Sequence, residues 1–370
     1  MNRPVMPLAR QAAACPDGPH AKPSARFARV AATDTAPARR TEPFSTSREI
    51  AMNPSFVSLL RGLAVRAARG LCTASGRFAV IVGIAVAMLS SAHAAAAPFE
   101  VRVTGTGPEL LLIPGLASSG AVWDDTVRQL CTRHRCHVFT LAGFAGVPAQ
   151  PGPLLERVGA ALADYIERQR LEAPVVVGHS LGGFVALRLA IDHPADVGRL
   201  VIVDALPALG AVRMDSATPQ QLRDFAPQMR AQLLAQDPAE YAAGQARQIA
   251  TMVTAPADVA RVQAWGRQSD RVAVIDAMAE MLGEDLRPRL GAIRAPTLVM
   301  GSWVAYKGQA TEDETRAVYE RQYRSLAGVR IAMSPAGRHF IMLDDPTWFA
   351  ATLTEFIRQA PPAPRGTGSN

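Results

Sequence analysis

From Pro98 onward the chain alternates short apolar runs with longer stretches whose apolar positions recur at helical spacing. The runs predict strands at Phe99–Val103, Glu109–Ile113, His137–Leu141, Pro174–Gly178, Arg199–Asp204, Pro296–Met300 and Val329–Ser334. Several of them, such as Leu110-Leu-Leu-Ile113 and Val175-Val-Val177, have no polar alternation, as parallel strands covered on both faces require. Strands separated by helical stretches predict an α/β domain built on a mostly parallel sheet. The rhythm breaks over residues 207–290. There, helix starts at Thr218-Pro219, at Asp237-Pro238 and at Asp258, and a stretch at Asp270–Leu282, follow one another without a strand. An all-helical insertion between two strands predicts a cap, with the core split into 98–206 and 291–359. The tail, 360–370, is rich in Pro and Gly and is expected to fray.

Before Pro98 the pattern is different. Residues 1–50 are rich in Pro, Ala and Arg with no apolar period, which predicts disorder. The segment after Met52 carries Arg61, Arg66, Arg69 and Arg77 without an acid, then an apolar run, Phe78–Leu89, then Ala92-His93-Ala94. A basic region, a 12-residue apolar run and a small-x-small site form the pattern of a secretory signal peptide cleaved near Ala94. Translation from Met52 would give that leader a conventional length. The protein is then expected in the periplasm or outside the cell, with no stable membrane span after cleavage. An uncleaved anchor is the alternative, because residues 78–97 together are about long enough to cross a bilayer.

The formal charge of +7 has the same origin. Residues 1–94 hold 12 Lys and Arg against 4 acids, a balance of +8, and the remainder holds 27 against 28, a balance of −1. The predicted domain therefore carries no electrostatic footprint for nucleic acid. Four cysteines in 370 residues exclude a disulfide scaffold. Cys131 and Cys136 fall within the domain, and a short-loop disulfide and a pair of packed thiols both remain open. Without a further Cys or suitably placed His, this pair does not predict a metal site.

The chemistry starts at Gly178-His-Ser-Leu-Gly182. A bare G-x-S-x-G is weak evidence, but here it follows an apolar strand and opens the helical run Leu181–Ile191. A strand that turns sharply into a helix forces Ser180 into a strained backbone conformation. Gly178 and Gly182 must then lack side chains to avoid collision. Ser180 projects from the sheet, and the helix N-terminus faces any anion that develops beside it.

With these residues the chain resembles the α/β-hydrolase superfamily over about residues 99–359. The resemblance implies a parallel sheet with helices on both faces, a helical cap and a nucleophilic Ser180. Leu110-Leu-Leu-Ile-Pro-Gly-Leu116 resembles the strand and loop that supply an oxyanion-hole amide, with Pro114 where many relatives have His. By position the two donors would be the N–H groups of Leu116 and Leu181. Gly337-Arg-His339-Phe resembles the loop carrying the catalytic base, so His339 is the expected partner of Ser180.

The acid is the unsettled member. Many relatives place it in the loop after the strand Thr297–Met300, where this chain has Val304. Glu312, Asp313 and Glu314 lie nearby, but Thr311-Glu-Asp-Glu314 has the form of a capping box, a sufficient reason for acids there. Asp204 ends an earlier strand, a position from which some members of the superfamily, haloalkane dehalogenases among them, supply the acid. Both positions reach the sheet's carboxyl edge, and the order Ser180, Asp204, His339 matches the fold's usual order, so Asp204 is the expected acid, with an acid near Asp313 or a dyad without an acid as the alternatives.

The resemblance implies a hydrolase acting on a small-molecule carboxylic ester, or on a lactone or amide, with no cofactor. A ligand-binding protein on the same fold and an acyltransferase with the same triad are the alternatives. The cap methionines Met214, Met229, Met252, Met278 and Met281 suit either an adaptable pocket or plain helix packing.

Overall fold

The structure, a computed structural model, describes residues 98–212 and 217–359. The expected leader with Met52 and Ala94, Met214 and the tail 360–370 lie outside the described residues.

The seven predicted runs form one seven-stranded sheet: β1 (Phe99–Thr104), β2 (Glu109–Ile113), β3 (Arg135–Leu141), β4 (Val175–His179), β5 (Arg199–Val203), β6 (Thr297–Gly301) and β7 (Arg330–Met333). The spatial order is β1-β3-β2-β4-β5-β6-β7, with only β1 antiparallel to its neighbour. β3 starts two residues earlier than expected because the Arg135 N–H donates to the Pro108 carbonyl at 3.0 Å and extends the ladder. Ten helices accompany the sheet among the described residues: α1 (Asp124–Leu130), α2 (Leu154–Gln169), α3 (Leu181–Asp192), α4 (Pro219–Ala235), α5 (Pro238–Met252), α6 (Pro256–Gln268), α7 (Arg271–Gly283), α8 (Glu312–Tyr323), α9 (Ile341–Asp344) and α10 (Pro346–Arg358).

The uninterrupted apolar strands have a direct structural counterpart. Side chains alternate across a strand, so Leu111, Ile113, Val176, Ile202 and Val299 enter one core cluster with α2 and α3. Leu110, Leu112, Val177, Val201, Leu298 and Met300 enter a second cluster with α1 and α10. Each buried aliphatic side chain contributes about 1.5–3 kcal/mol, and here both faces are used. The chain reverses its direction of sheet growth between β2 and β4, which opens a crevice at the carboxyl ends of these strands.

Helices α4–α7 lie between β5 and β6, with no strand among the described residues of that stretch. α6 starts at Pro256, so Asp258 falls in its first turn rather than capping it. The helices reach both core clusters: α7 adds Val274, Ala277 and Met281 to one, and α6 adds Val262 and Trp265 to the other. Met278 and Met252 are partly buried against the same clusters, so these methionines pack helices.

The insertion is also stitched to loops of the core. The Glu280 carboxylate accepts from the Leu154 and Leu155 amides at 2.9 and 2.8 Å, capping the first turn of α2. Ser269 Oγ accepts from the Ala145 amide at 2.9 Å, and the Asp270 amide donates to the Gly143 carbonyl at 2.8 Å.

At the other end of the sheet, Cys131 and Cys136 are joined by a disulfide with a Cα–Cα separation of 5.8 Å. It fastens the end of α1 to β3. Peptide mapping after alkylation of the native protein without reductant is expected to leave Cys131 and Cys136 unmodified, and alkyl groups on both would show free thiols instead. Removal of the crosslink by Cys131→Ala with Cys136→Ala should cost about 2 kcal/mol, the loop being short.

Candidate active site

β4 ends in a turn that the sequence makes unusually tight. Ser180 has φ 51° and ψ −118°, a strained conformation for a residue with a side chain. Its amide donates to the Val203 carbonyl at 2.9 Å, and its own carbonyl accepts from the Phe184 amide at 3.0 Å. The two motif glycines are what allow the turn. A Cβ on Gly178 would lie 2.2 Å from the Gly182 carbonyl oxygen, and one on Gly182 would lie 2.4 Å from the carbonyl oxygens of Ile113 and Pro114. The sharp turn and the close approach of α3 to β2 therefore both exclude larger residues.

The loop after β2 passes over this elbow. A Cβ on Gly115 would sit 3.1 Å from the Ser180 Cβ and 2.9 Å from His179 Nδ1. Leu116 follows Gly115 directly, and Leu181 opens α3, where the first amides have no intrahelical acceptor. The residues expected to supply the oxyanion amides are thus the neighbour of Gly115 in this loop and the first residue of α3.

The structure places Asp204, not Asp313, against His339. His339 Nδ1 donates to Asp204 Oδ2 at 2.6 Å. Asp204 follows β5 with φ 47°, a left-handed conformation that Asp tolerates better than most residues. Its other oxygen, Oδ1, accepts from the Ser302 amide at 2.8 Å and from the Tyr319 hydroxyl. Burial alone would raise the Asp204 carboxyl. The hydrogen bond and charge of His339, with the Tyr319 and Ser302 bonds, outweigh it and hold the carboxyl below its ordinary value. Glu312, Asp313 and Glu314 occupy the first turn of α8, where Thr311 and Glu314 form a capping box. Val304 lies in a short 3-10 turn after β6.

With Nδ1–H committed to a carboxylate, Nε2 is the imidazole nitrogen left to accept a proton. Ser180 and His339 are both partly exposed, so a substrate can reach them. The carboxyl edge of the sheet therefore presents a hydroxyl in a strained elbow and an imidazole hydrogen-bonded to a buried carboxylate. Among the described residues no group of His, Cys, Asp and Glu is placed to hold a metal ion.

Three supports were not legible in the sequence. His179 is fully buried, and its Nε2–H donates to the His339 carbonyl at 2.9 Å. The Phe340 amide donates to the Met252 carbonyl at 3.3 Å. Asp344 accepts from the Arg338 and Thr254 amides at 2.9 and 2.8 Å, so the His339 loop is pinned to the α5–α6 junction. Tyr319 is the third support, and neither its spacing nor its neighbours in sequence mark it. The remaining domain histidines lie elsewhere. His137 is buried between Tyr165 and Glu109, both at 2.7 Å; His134 bonds the Leu130 carbonyl, and His193 lies at the end of α3.

A model of the alpha/beta hydrolase family matches residues 110–352. The chain is 31% identical over 211 residues to the pimeloyl-[acyl-carrier protein] methyl ester esterase of Nitrosomonas europaea, covering 55% of this chain and 80% of that protein. It is 36% identical over 110 residues to the Vibrio cholerae protein of the same description, covering 30% of this chain and 42% of that one, so it matches under half of that relative's length. Among solved structures, a hydrolase from Pseudomonas aeruginosa PA01 superimposes with a TM-score of 0.58 at 24% identity, covering 70% of this chain and 94% of that one. At that identity the superposition shows the fold alone.

Burial, with the nearby His339, pushes the His179 pKa down from 6.5 to about 3, against the opposing pull of Asp204 and of the His339 carbonyl. Between those values the unfolded chain binds a proton at this residue and the folded chain does not. Stability from His179 is therefore present above pH 6.5 and lost as pH falls toward 3. Its share of the slope is on the order of 1 kcal/mol per pH unit. Denaturant unfolding at a series of pH values should show a shallower acid slope for His179→Asn than for the parent. Identical slopes would mean that the imidazole is protonated in the fold.

Proposed function

The chain belongs to the alpha/beta hydrolase family, and on that premise we propose that it is a serine hydrolase cleaving a carboxylic ester of a small molecule through an acyl-enzyme on Ser180. One observation carries the reading: the 2.6 Å hydrogen bond from His339 Nδ1 to Asp204, in a chain whose Ser180 occupies a strained elbow at the start of α3. His339 Nε2 takes the Ser180 proton as the hydroxyl attacks the ester carbonyl. The Leu116 and Leu181 amides meet the oxyanion, and the proton passes to the departing alcohol. Water activated by the same imidazole then releases the acid. Asp204 holds the imidazole in the required tautomer and stabilises its charged form. The description of the Nitrosomonas europaea relative as a methyl ester esterase supports an ester over a lactone or amide. Helices α4–α7 act as the cap over the crevice, a role supported by their anchoring to loops at its rim.

A fluorophosphonate should label Ser180 stoichiometrically, and the protein should turn over short 4-nitrophenyl esters. Asp204→Asn should lower kcat about 10³–10⁴-fold, and Asp313→Asn should leave it within about twofold. A loss confined to Asp313→Asn would move the acid to α8. An inert Ser180 would favour a binding protein, and transfer to an added alcohol that outpaces hydrolysis would favour an acyltransferase.

We also propose that the chain is exported and cleaved near Ala94. The leader pattern supports this, as does the Cys131–Cys136 disulfide, since such bonds persist in oxidising compartments. N-terminal sequencing of protein from the periplasm or medium should begin close to Ala95. Retention in the cytosol with the leader intact would refute it.

A further inference from the structure

The ends of β5 and β6 lie side by side, with Val203 opposite Met300, and the Asp204 amide continues the ladder by donating to the Met300 carbonyl at 2.8 Å. The Asp204 carboxylate therefore sits over the end of β6, the strand after which many relatives carry the acid. Its Oδ2 is used by His339. Both donors to Oδ1 come from across β6: the amide of Ser302, next along the chain from that strand, and the hydroxyl of Tyr319 on α8.

We propose that Tyr319 is a positioning residue for the catalytic acid, and that Gly301 is glycine because the Tyr319 ring occupies the space its side chain would fill. The inference rests on the reading of Asp204 as the acid of the triad. A Cβ on Gly301 would lie 2.8 Å from Tyr319 Cε2 and 2.9 Å from Cζ, against ring carbons that cannot give way without moving the hydroxyl. The same Cβ would lie 2.8 Å from Met333 Sδ, so the ring has no room to slide toward β7. One turn further along α8, Tyr323 donates to the Ala205 carbonyl at 2.8 Å. Two tyrosines four residues apart on one helix face thus hold consecutive residues of the β5 loop, one by its side chain and the other by its backbone.

Two donors on Oδ1 leave only Oδ2 for the imidazole, which fixes the carboxylate's rotation. Burial, and after it the Asp204 charge, raise the Tyr319 phenol well above its usual value, so it stays a protonated donor wherever the enzyme works. Loss of that donor leaves a buried carboxylate with more of its charge directed at His339. The protonated imidazole then competes better with the neutral base that Ser180 needs, and the ring is less well held. The titratable groups facing Asp204 are His339, His179 on β4, Tyr306 in the turn after β6, and Tyr319 and Tyr323 on α8.

The test compares the parent with Tyr319→Phe, Gly301→Ala, the double variant and Asp204→Asn. The readouts are kcat and KM for 4-nitrophenyl butyrate, and the pH dependence of Ser180 labelling by a fluorophosphonate. Tyr319→Phe should lower kcat about tenfold with KM within about twofold, the loss of one charge-assisted hydrogen bond. The acidic limb of its labelling profile should move up by about half a pH unit. Gly301→Ala should give the same signature with the phenol still present, and the double variant should be no worse than either single one. Thermal melting separates misfolding from mispositioning, and if Gly301→Ala fails to fold, Tyr319→Phe alone decides. A Tyr319→Phe profile superimposable on the parent, with kcat within about twofold and Asp204→Asn inactive, overturns this inference and leaves the triad standing. Full activity in Asp204→Asn overturns the triad reading itself.

Discussion

The hydrogen bond between Asp204 and His339 joins residues 135 positions apart, and most of the architecture serves to hold its two ends in place. A charged carboxylate in a buried site is costly unless its oxygens are paired, and a lone imidazole partner would leave Oδ1 unsatisfied. The structure satisfies that oxygen twice, from the backbone after β6 and from α8. The left-handed turn at Asp204, the glycine at 301 and the approach of α8 to the sheet edge are consequences of one requirement, full pairing of that carboxylate.

The other end of the bond depends on the insertion as much as on the core. The loop carrying His339 is bonded from below by His179 and from the side by the junction of α5 and α6, through Phe340, Asp344 and Arg338. His179 serves this purpose by being neutral, because a charged imidazole in a fully buried position would cost more than the bond to the His339 carbonyl returns. The α4–α7 segment is thus bonded into the walls of the site and is not a separate layer. Its helices extend both core clusters and cap α2 from outside through Glu280.

The sheet itself needs no such pairing at its centre, where strands are apolar on both faces and their backbone groups are consumed by the ladder. Polar side chains are confined to its rims. At the carboxyl edge they form the candidate site, and toward β1 the buried His137 has both ring nitrogens bonded, to Tyr165 and to Glu109. The Asp204 carboxylate and the His137 imidazole are both bonded through both of their polar atoms, and only the first lies beside a strained serine that opens to solvent.

The seven strands, the helical insertion and the elbow were legible in the sequence because each depends on near neighbours. A run of Val and Leu has no polar face to turn outward, and the glycine at 178 avoids a collision with the Gly182 carbonyl within a single turn. The family resemblance rested on the same local signals, and the matched span of residues 110–352 agrees with it. The partner of His339 was legible only in part: Asp204 was expected from its place at the end of β5 and from the order Ser180, Asp204, His339, while the acids around Asp313 and a dyad without an acid also fitted the sequence. Tertiary structure made that choice by setting β5 beside β6 and laying the Tyr319 ring on Gly301, so that Asp204 Oδ1 is satisfied from across a strand. Local sequence fixes turns and faces. Which distant groups complete a buried carboxylate depends on how those faces pack.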